Sequence, residues 1–139
     1  MQKRGGYRNL DTWQLAMTLV ERIYTATSGF PRPELYGLTS QLRRAAVSVP
    51  ANVAEGSCRR ATKPYAQHVG IALGSHGELE TCIELAVRLG FLPPAGYTSL
   101  EGMLTSVGSL LSGLHRSLED KIAREKAERK ANRKMRSDS

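Results

Sequence analysis

At 139 residues, with 40% hydrophobic and 24% charged side chains, the chain has the size and composition of one globular domain and lies far from the disordered class. No apolar run approaches the roughly 18–20 residues that span a bilayer, and no apolar stretch follows the basic N-terminus as a signal peptide requires, so a cytoplasmic protein without a membrane partner is expected. The net charge of +7 directs attention to anionic partners.

A basic arm occupies residues 1–9, and the first helix then runs from Leu10 or Asp11 to Thr27. Leu10, Trp13, Met17, Val20 and Tyr24 form its apolar stripe, Asn9 or Asp11 its cap, and Ser28-Gly29-Phe30-Pro31 its end. Pro33-Glu34 opens a turn or short helical segment through Tyr36-Gly37-Leu38, which leads to a second helix from near Thr39, as cap, to about Cys58, with Leu38, Leu42, Ala45, Val49 and Val53 inward. Pro50 lies inside this helix and predicts a kink near Ala46–Val49.

The third helix starts at Thr62, read as its cap, with Pro64 close behind. Tyr65, Val69, Ala72, His76, Leu79, Ile83, Ala86 and Gly90 advance by alternating threes and fours, and Gly90 with Pro93-Pro94 stops the helix. Small residues at Ala72, Gly74, Ser75 and Ala86 predict close helix approach. The fourth helix begins near Thr98 or Ser99, with Leu100, Leu104, Val107, Leu111, Leu114 and Leu118 inward. Its stripe ends at Ile122, beyond which good helix formers and a Glu125–Arg129 pair predict a solvent-borne extension.

These elements predict an all-α, antiparallel up-down-up-down four-helix bundle over residues 10–120, with a basic tail over 121–139. Eight Lys/Arg against three acidic residues give the tail +5 of the total charge, leaving a nearly neutral body. A polyanion partner and a merely solubilising extension both account for that tail.

No catalytic constellation stands out. A di-iron bundle needs Glu-x-x-His pairs, and the residues three before His68, His76 and His115 are Tyr65, Leu73 and Ser112. His76 and Glu80 have helical i,i+4 spacing, but His76 lies in the apolar seam and reads as a hydrogen-bonded core or interface histidine. Cys58 and Cys82 form no CxxC pair and read as free thiols. Gly74-Ser75-His76-Gly77 lacks the phosphate-cradle pattern. A non-enzymatic protein with no cofactor and no metal is expected.

The basic positions carry more. Arg43-Arg44 sits on the second helix, and Arg59-Arg60 with Lys63 clusters beside the N-terminus of the third, where phosphate binding is favourable. Tyr65 has a ring suited to base stacking, although its seam position argues for burial. Pairing of these arginines with Glu55, Glu78, Glu80 or Glu84 across helices is the competing reading.

The run Ser48-Val49-Pro50-Ala51-Asn52-Val53-Ala54-Glu55-Gly56, following Tyr36-Gly37-Leu38-Thr39-Ser40-Gln41-Leu42-Arg43-Arg44, combines with Ile71-Ala72-Leu73-Gly74-Ser75 and Glu78-Leu79-Glu80-Thr81. Together they resemble the bacterial four-helix bundles of the 23S rRNA intervening-sequence protein family over about Leu10–Leu118. They are similar also to the accessory protein of diversity-generating retroelements, a basic pentamer that binds nucleic acid and a reverse transcriptase. The resemblance implies a bundle that assembles as a homo-oligomer, specifically a ring-like homopentamer.

Its matching residues Pro50, Asn52, Glu55, Gly56, Gly74, Ser75 and Glu78 read as architecture. Asn52 and Glu55 lie after the proline where freed backbone groups need partners, Glu55 is placed to hold Arg59 or Arg60, and Glu78 to pair across helices. The expected function is binding of RNA or DNA through Arg43, Arg44, Arg59, Arg60, Lys63 and the tail. The alternative is an interaction scaffold that binds a protein partner without nucleic acid.

Overall fold

The computed structural model describes residues 6–138. Its four helices are α1 (Asp11–Thr27), α2 (Leu38–Cys58), α3 (Thr62–Arg88) and α4 (Pro94–Asp138). Lys3 and Arg4, part of the basic arm in the sequence reading, lie outside the described residues. Gly6–Asn9 form a 3-10 turn folded back on α1, where the Tyr7 and Trp13 rings meet edge-on at 5.3 Å. A second 3-10 turn, Arg32–Tyr36, joins α1 to α2.

Each helix packs on its neighbours in the order α1, α2, α3, α4 and back to α1, the arrangement short antiparallel connections produce. The inward stripes of α2, α3 and α4 fall where their periodicity puts them. Val49, Val53, Val69, Leu79, Ile83, Val107 and Leu111 are almost wholly removed from water. Leu114 is only half-buried, and Tyr65 packs on the rim of this core.

Helix α1 turns a different stripe inward. Thr12, Ala16, Leu19, Ile23 and Thr27 are buried, whereas Met17 and Tyr24 are 40% and 44% exposed. The two stripes overlap in sequence, and the inner one is hard to see because it contains threonines. Burial of Thr27 costs little, since its hydroxyl donates to the Ile23 carbonyl at 2.7 Å.

The ends also differ from expectation. Leu10, Gly37 and Ala61 precede α1, α2 and α3, and none of the three supplies a side-chain cap. Thr39 is buried in the first turn of α2, and the Leu38 amide is instead met by Glu34 Oε2 at 3.1 Å. Helix α4 begins at Pro94, four residues before Thr98, using the fixed φ of proline in its first turn. After α3, Gly90 adopts φ +78°, and the amides of Phe91 and Leu92 return to the Ala86 carbonyl.

Helix α2 continues on both sides of Pro50. Close approach to α3 is made at Gly56, where an added Cβ would lie 2.8 Å from His68 Cβ and 3.0 Å from Tyr65 Cδ1. Gly74 opens onto free space, so it is not the close-contact residue the sequence suggested. Its neighbour Ser75 is, with its hydroxyl 2.7 Å from that of Ser48.

Candidate nucleic-acid interface

Five basic residues were expected to act together, and the fold separates them into two groups. Arg43 on α2 and Arg59 just past its end are sixteen positions apart, which amounts to about 24 Å along the helix axis at a rise of ~1.5 Å per residue. Arg43 and Arg44 sit toward the end of the bundle that carries the Arg32–Tyr36 turn. Arg59, Arg60 and Lys63 form the opposite corner, between α2 and α3.

At that corner, Arg59 bonds Glu55 Oε1 at 3.2 Å within its own helix, one of the two partners expected for Glu55. Both side chains are more than half exposed, so the pair is worth little in stability. Arg60 has φ 59°, a left-handed conformation unusual for a residue with a side chain. It lets the chain reverse between two helices in three residues. Lys63 is exposed in the first turn of α3, where unpaired backbone amides favour anions.

Thr62 does not cap α3. Its hydroxyl donates across the bundle to Glu125 Oε1 at 3.0 Å. This ties the corner to the point where α4 leaves the core, for Ile122 is the last side chain packed on it and every described residue from Lys126 onward is exposed. Glu125, expected to pair with Arg129, sits instead between Thr62 and Lys121, the latter at 4.0 Å. The Arg59-Arg60-Lys63 corner therefore adjoins the root of a basic helical extension. Sequence reasoning missed this contact because Thr62 and Glu125 share no pattern.

The family-type motif residues form a polar ladder between α2 and α3. Asn52 Nδ2 donates to the Ser48 carbonyl at 2.9 Å and to its hydroxyl at 3.0 Å, and Ser48 meets Ser75. The His68 Nδ1 lies 3.1 Å from Asn52 Oδ1, and its Nε2 lies 3.9 Å from Glu55. Among the described residues Glu78 makes no cross-helix ion pair; it lines a hollow with Gln41, Arg44 and Ser75 and pushes the Cys82 thiol upward in pKa, second to burial. Cys58 is exposed and Cys82 buried, both as free thiols.

His76 is buried as expected, but it is not the hydrogen-bonded histidine of the sequence reading. Among the described residues neither ring nitrogen has a hydrogen-bond partner, and Glu80 Oε1 stands 3.5 Å from Nε2. Among the described residues no group of three or more His, Cys, Asp or Glu side chains is arranged to hold a metal.

Arg43 has an unexpected setting. Its Nε donates to Thr27 Oγ1 at 2.9 Å, and its guanidinium carbon lies 4.5 Å from the centre of the Tyr24 ring. Arg44 beside it is exposed.

Comparison with known proteins fits this architecture. The crystal structure of a protein of unknown function from the S23 ribosomal protein family of Bacteroides thetaiotaomicron superposes with a TM-score of 0.69. It is 20% identical, and the match covers 76% of this chain and 95% of that one. Such a likeness speaks for the fold alone. No curated protein matches. The model of the 23S rRNA-intervening sequence protein family matches residues 8–113, most of the bundle and none of the basic extension. The chain belongs to the 23S rRNA-intervening sequence protein family.

Proposed function

We propose that this protein is a non-enzymatic, self-associating bundle that binds RNA or DNA phosphates at the α2–α3 corner and along the root of the α4 extension. The observation that carries the reading is the Thr62–Glu125 hydrogen bond, which sets Arg59, Arg60 and Lys63 beside a helix whose last stretch holds most of the net charge. The left-handed backbone at Arg60 adds support. A glycine there would avoid roughly 1 kcal/mol of strain, so an arginine at this position carries its charge at a conformational cost. Arg59, already partnered by Glu55, exchanges a weak surface pair for a charge-assisted bond to phosphate.

Self-association has separate support in the outer face of α3, where Ile71 and Leu85 are 52% and 44% exposed and Leu89, just past its end, is 59% exposed. A ring of identical subunits would repeat the basic corner and multiply its affinity for a long polyanion.

Fluorescence anisotropy with labelled RNA, single-stranded DNA and duplex DNA over a salt series tests the reading. Binding should weaken steeply with salt, and the triple substitution Arg59/Arg60/Lys63→Ala should lower the slope of log K against log salt by about one per lost contact. Equal affinity and equal slope in parent and variant would remove the corner from the interface.

A further inference from the structure

Arg43 and Arg44 stand too far from the corner to share its phosphates, and they face a different kind of surface. A groove of about 700 Å³ runs between the end of α1, the Arg32–Tyr36 turn and α2. Its apolar lining comes from Tyr24, Leu35, Tyr36 and Val47, and its charge from Arg43 and Arg44. Tyr36 is 93% exposed, although aromatic rings ordinarily find shelter. No carboxylate lines the groove. Glu34, in the same turn, is directed to the Leu38 amide, and Glu78 lines the neighbouring hollow on the other side of Arg44.

We propose that this groove binds single-stranded nucleic acid, with unpaired bases stacking on Tyr36 and against Tyr24 while Arg43 and Arg44 take the adjoining phosphates. The proposal rests on the nucleic-acid reading above and specifies the strand state that this second site selects. Aromatic faces beside arginines suit unpaired bases of any sequence, because every base has a π-face. A duplex keeps those faces stacked inside and offers the groove only its backbone.

Arg43 is already oriented for the task. Its bond to Thr27 and its stacking on Tyr24 fix the guanidinium before any ligand arrives, which lowers the ordering cost of binding. Charge complementarity favours a polyanion as occupant: the two arginines meet no carboxylate in the lining, and a polynucleotide supplies one negative charge per nucleotide alongside a base that stacks.

The test compares Tyr36→Ala, Tyr36→Phe and the parent for binding to short oligouridylate and oligothymidylate strands and to a hairpin duplex, with size-exclusion chromatography of each protein. Tyr36 is so exposed that its truncation leaves the core intact. Expected is a roughly 5- to 100-fold loss of single-strand affinity in Tyr36→Ala, recovery in Tyr36→Phe, and unchanged duplex binding. Parent-like single-strand binding by Tyr36→Ala overturns the groove while leaving the corner standing, provided Arg59/Arg60/Lys63→Ala still weakens binding. A Tyr36→Ala protein that changes its assembly state but not its affinity assigns the groove to subunit contact and equally overturns the proposal. Failure of the parent to bind any of the probes defeats the broader reading and this one together.

Discussion

The seam between α2 and α3 and the last stretch of α4 are both uninterrupted helix, yet they are held by opposite means. In the seam, two helices come so close that a Cβ at Gly56 would collide with His68 and Tyr65, and Ser48, Asn52, Ser75 and His68 are joined by hydrogen bonds. Beyond Ile122, α4 has no core to rest on, and its helicity comes from residue propensity and from the cooperative continuation of a helix already nucleated in the bundle. The seam therefore bears stability and the extension bears charge. A substitution should affect one property or the other according to which region it falls in.

The largest effect tests the seam itself. Leu79→Ala removes a wholly buried side chain and should cost about 2–5 kcal/mol, read as a fall in Tm of about 3–4 °C for each kcal/mol. Gly56→Val comes next. Its side chain meets the α3 backbone region and the Tyr65 ring, so about 1–3 kcal/mol of destabilisation is expected in chemical denaturation. A Gly74→Ala control, which opens onto free space, should leave stability equal or slightly raised. If Gly56→Val and Gly74→Ala melted alike, close approach at Gly56 would not be what the fold depends on.

The extension should respond in the reverse sense. Ending the chain after Glu125 keeps Ile122 and the Thr62–Glu125 bond but removes six Lys/Arg residues. Stability should change by less than about 0.5 kcal/mol, as for surface positions generally, while nucleic-acid affinity at low salt falls. A substantial loss of Tm would mean that the extension packs on another subunit in solution.

These two regions also differ in how far they were legible from residues alone. The α3 stripe from Val69 to Ala86 is dominated by apolar side chains at seam spacing, so its inward face was plain. Helix α1 carries two overlapping stripes, and the more apolar one lies on the flank of the helix, with Leu10, Trp13 and Val20 partly buried against the core and Met17 and Tyr24 exposed. Periodicity identified that helix without deciding its rotation, because Thr12 and Thr27 pass for surface residues, and Thr27 satisfies its polarity locally by donating to the Ile23 carbonyl. Pattern also could not reveal contacts between residues far apart in sequence. Thr62 with Glu125 and Arg43 with Thr27 and Tyr24 depend on how the helices are set against one another. The basic residues were found by composition, but their division into a corner and a groove required the fold.

Between seam and extension lies Arg60, where stability and charge should pull apart within one residue. Arg60→Gly relieves a positive φ and should raise stability by up to about 1 kcal/mol, while weakening binding at the corner. Loss of stability in this variant would show that the arginine side chain supports the turn, and its charge would then not come at a cost in stability.

The smallest expected effect concerns alkaline pH and returns to the seam. Burial pushes the Cys82 thiol above its ordinary pKa, with Glu78 adding to the shift, and burial likewise raises the Tyr65 phenol against a smaller opposing effect from Ser57. In both groups the neutral form is favoured more strongly in the folded chain than in the unfolded one. Their contribution is therefore complete below the unfolded values and is lost as pH rises through the folded ones. The decline should start near the ordinary thiol value of about 8.5, where the unfolded chain begins to release the Cys82 proton and the folded chain still holds it. Thermal melts of the parent should lose Tm progressively above that pH, and Cys82→Ala, though less stable throughout from its lost packing, should show a shallower decline over the thiol range. Parallel curves for the two proteins would assign the alkaline loss to Tyr65 and to other groups in place of the buried thiol. Alkylation offers an independent check, since exposed Cys58 should react with iodoacetamide in the native protein while Cys82 stays protected until the seam opens.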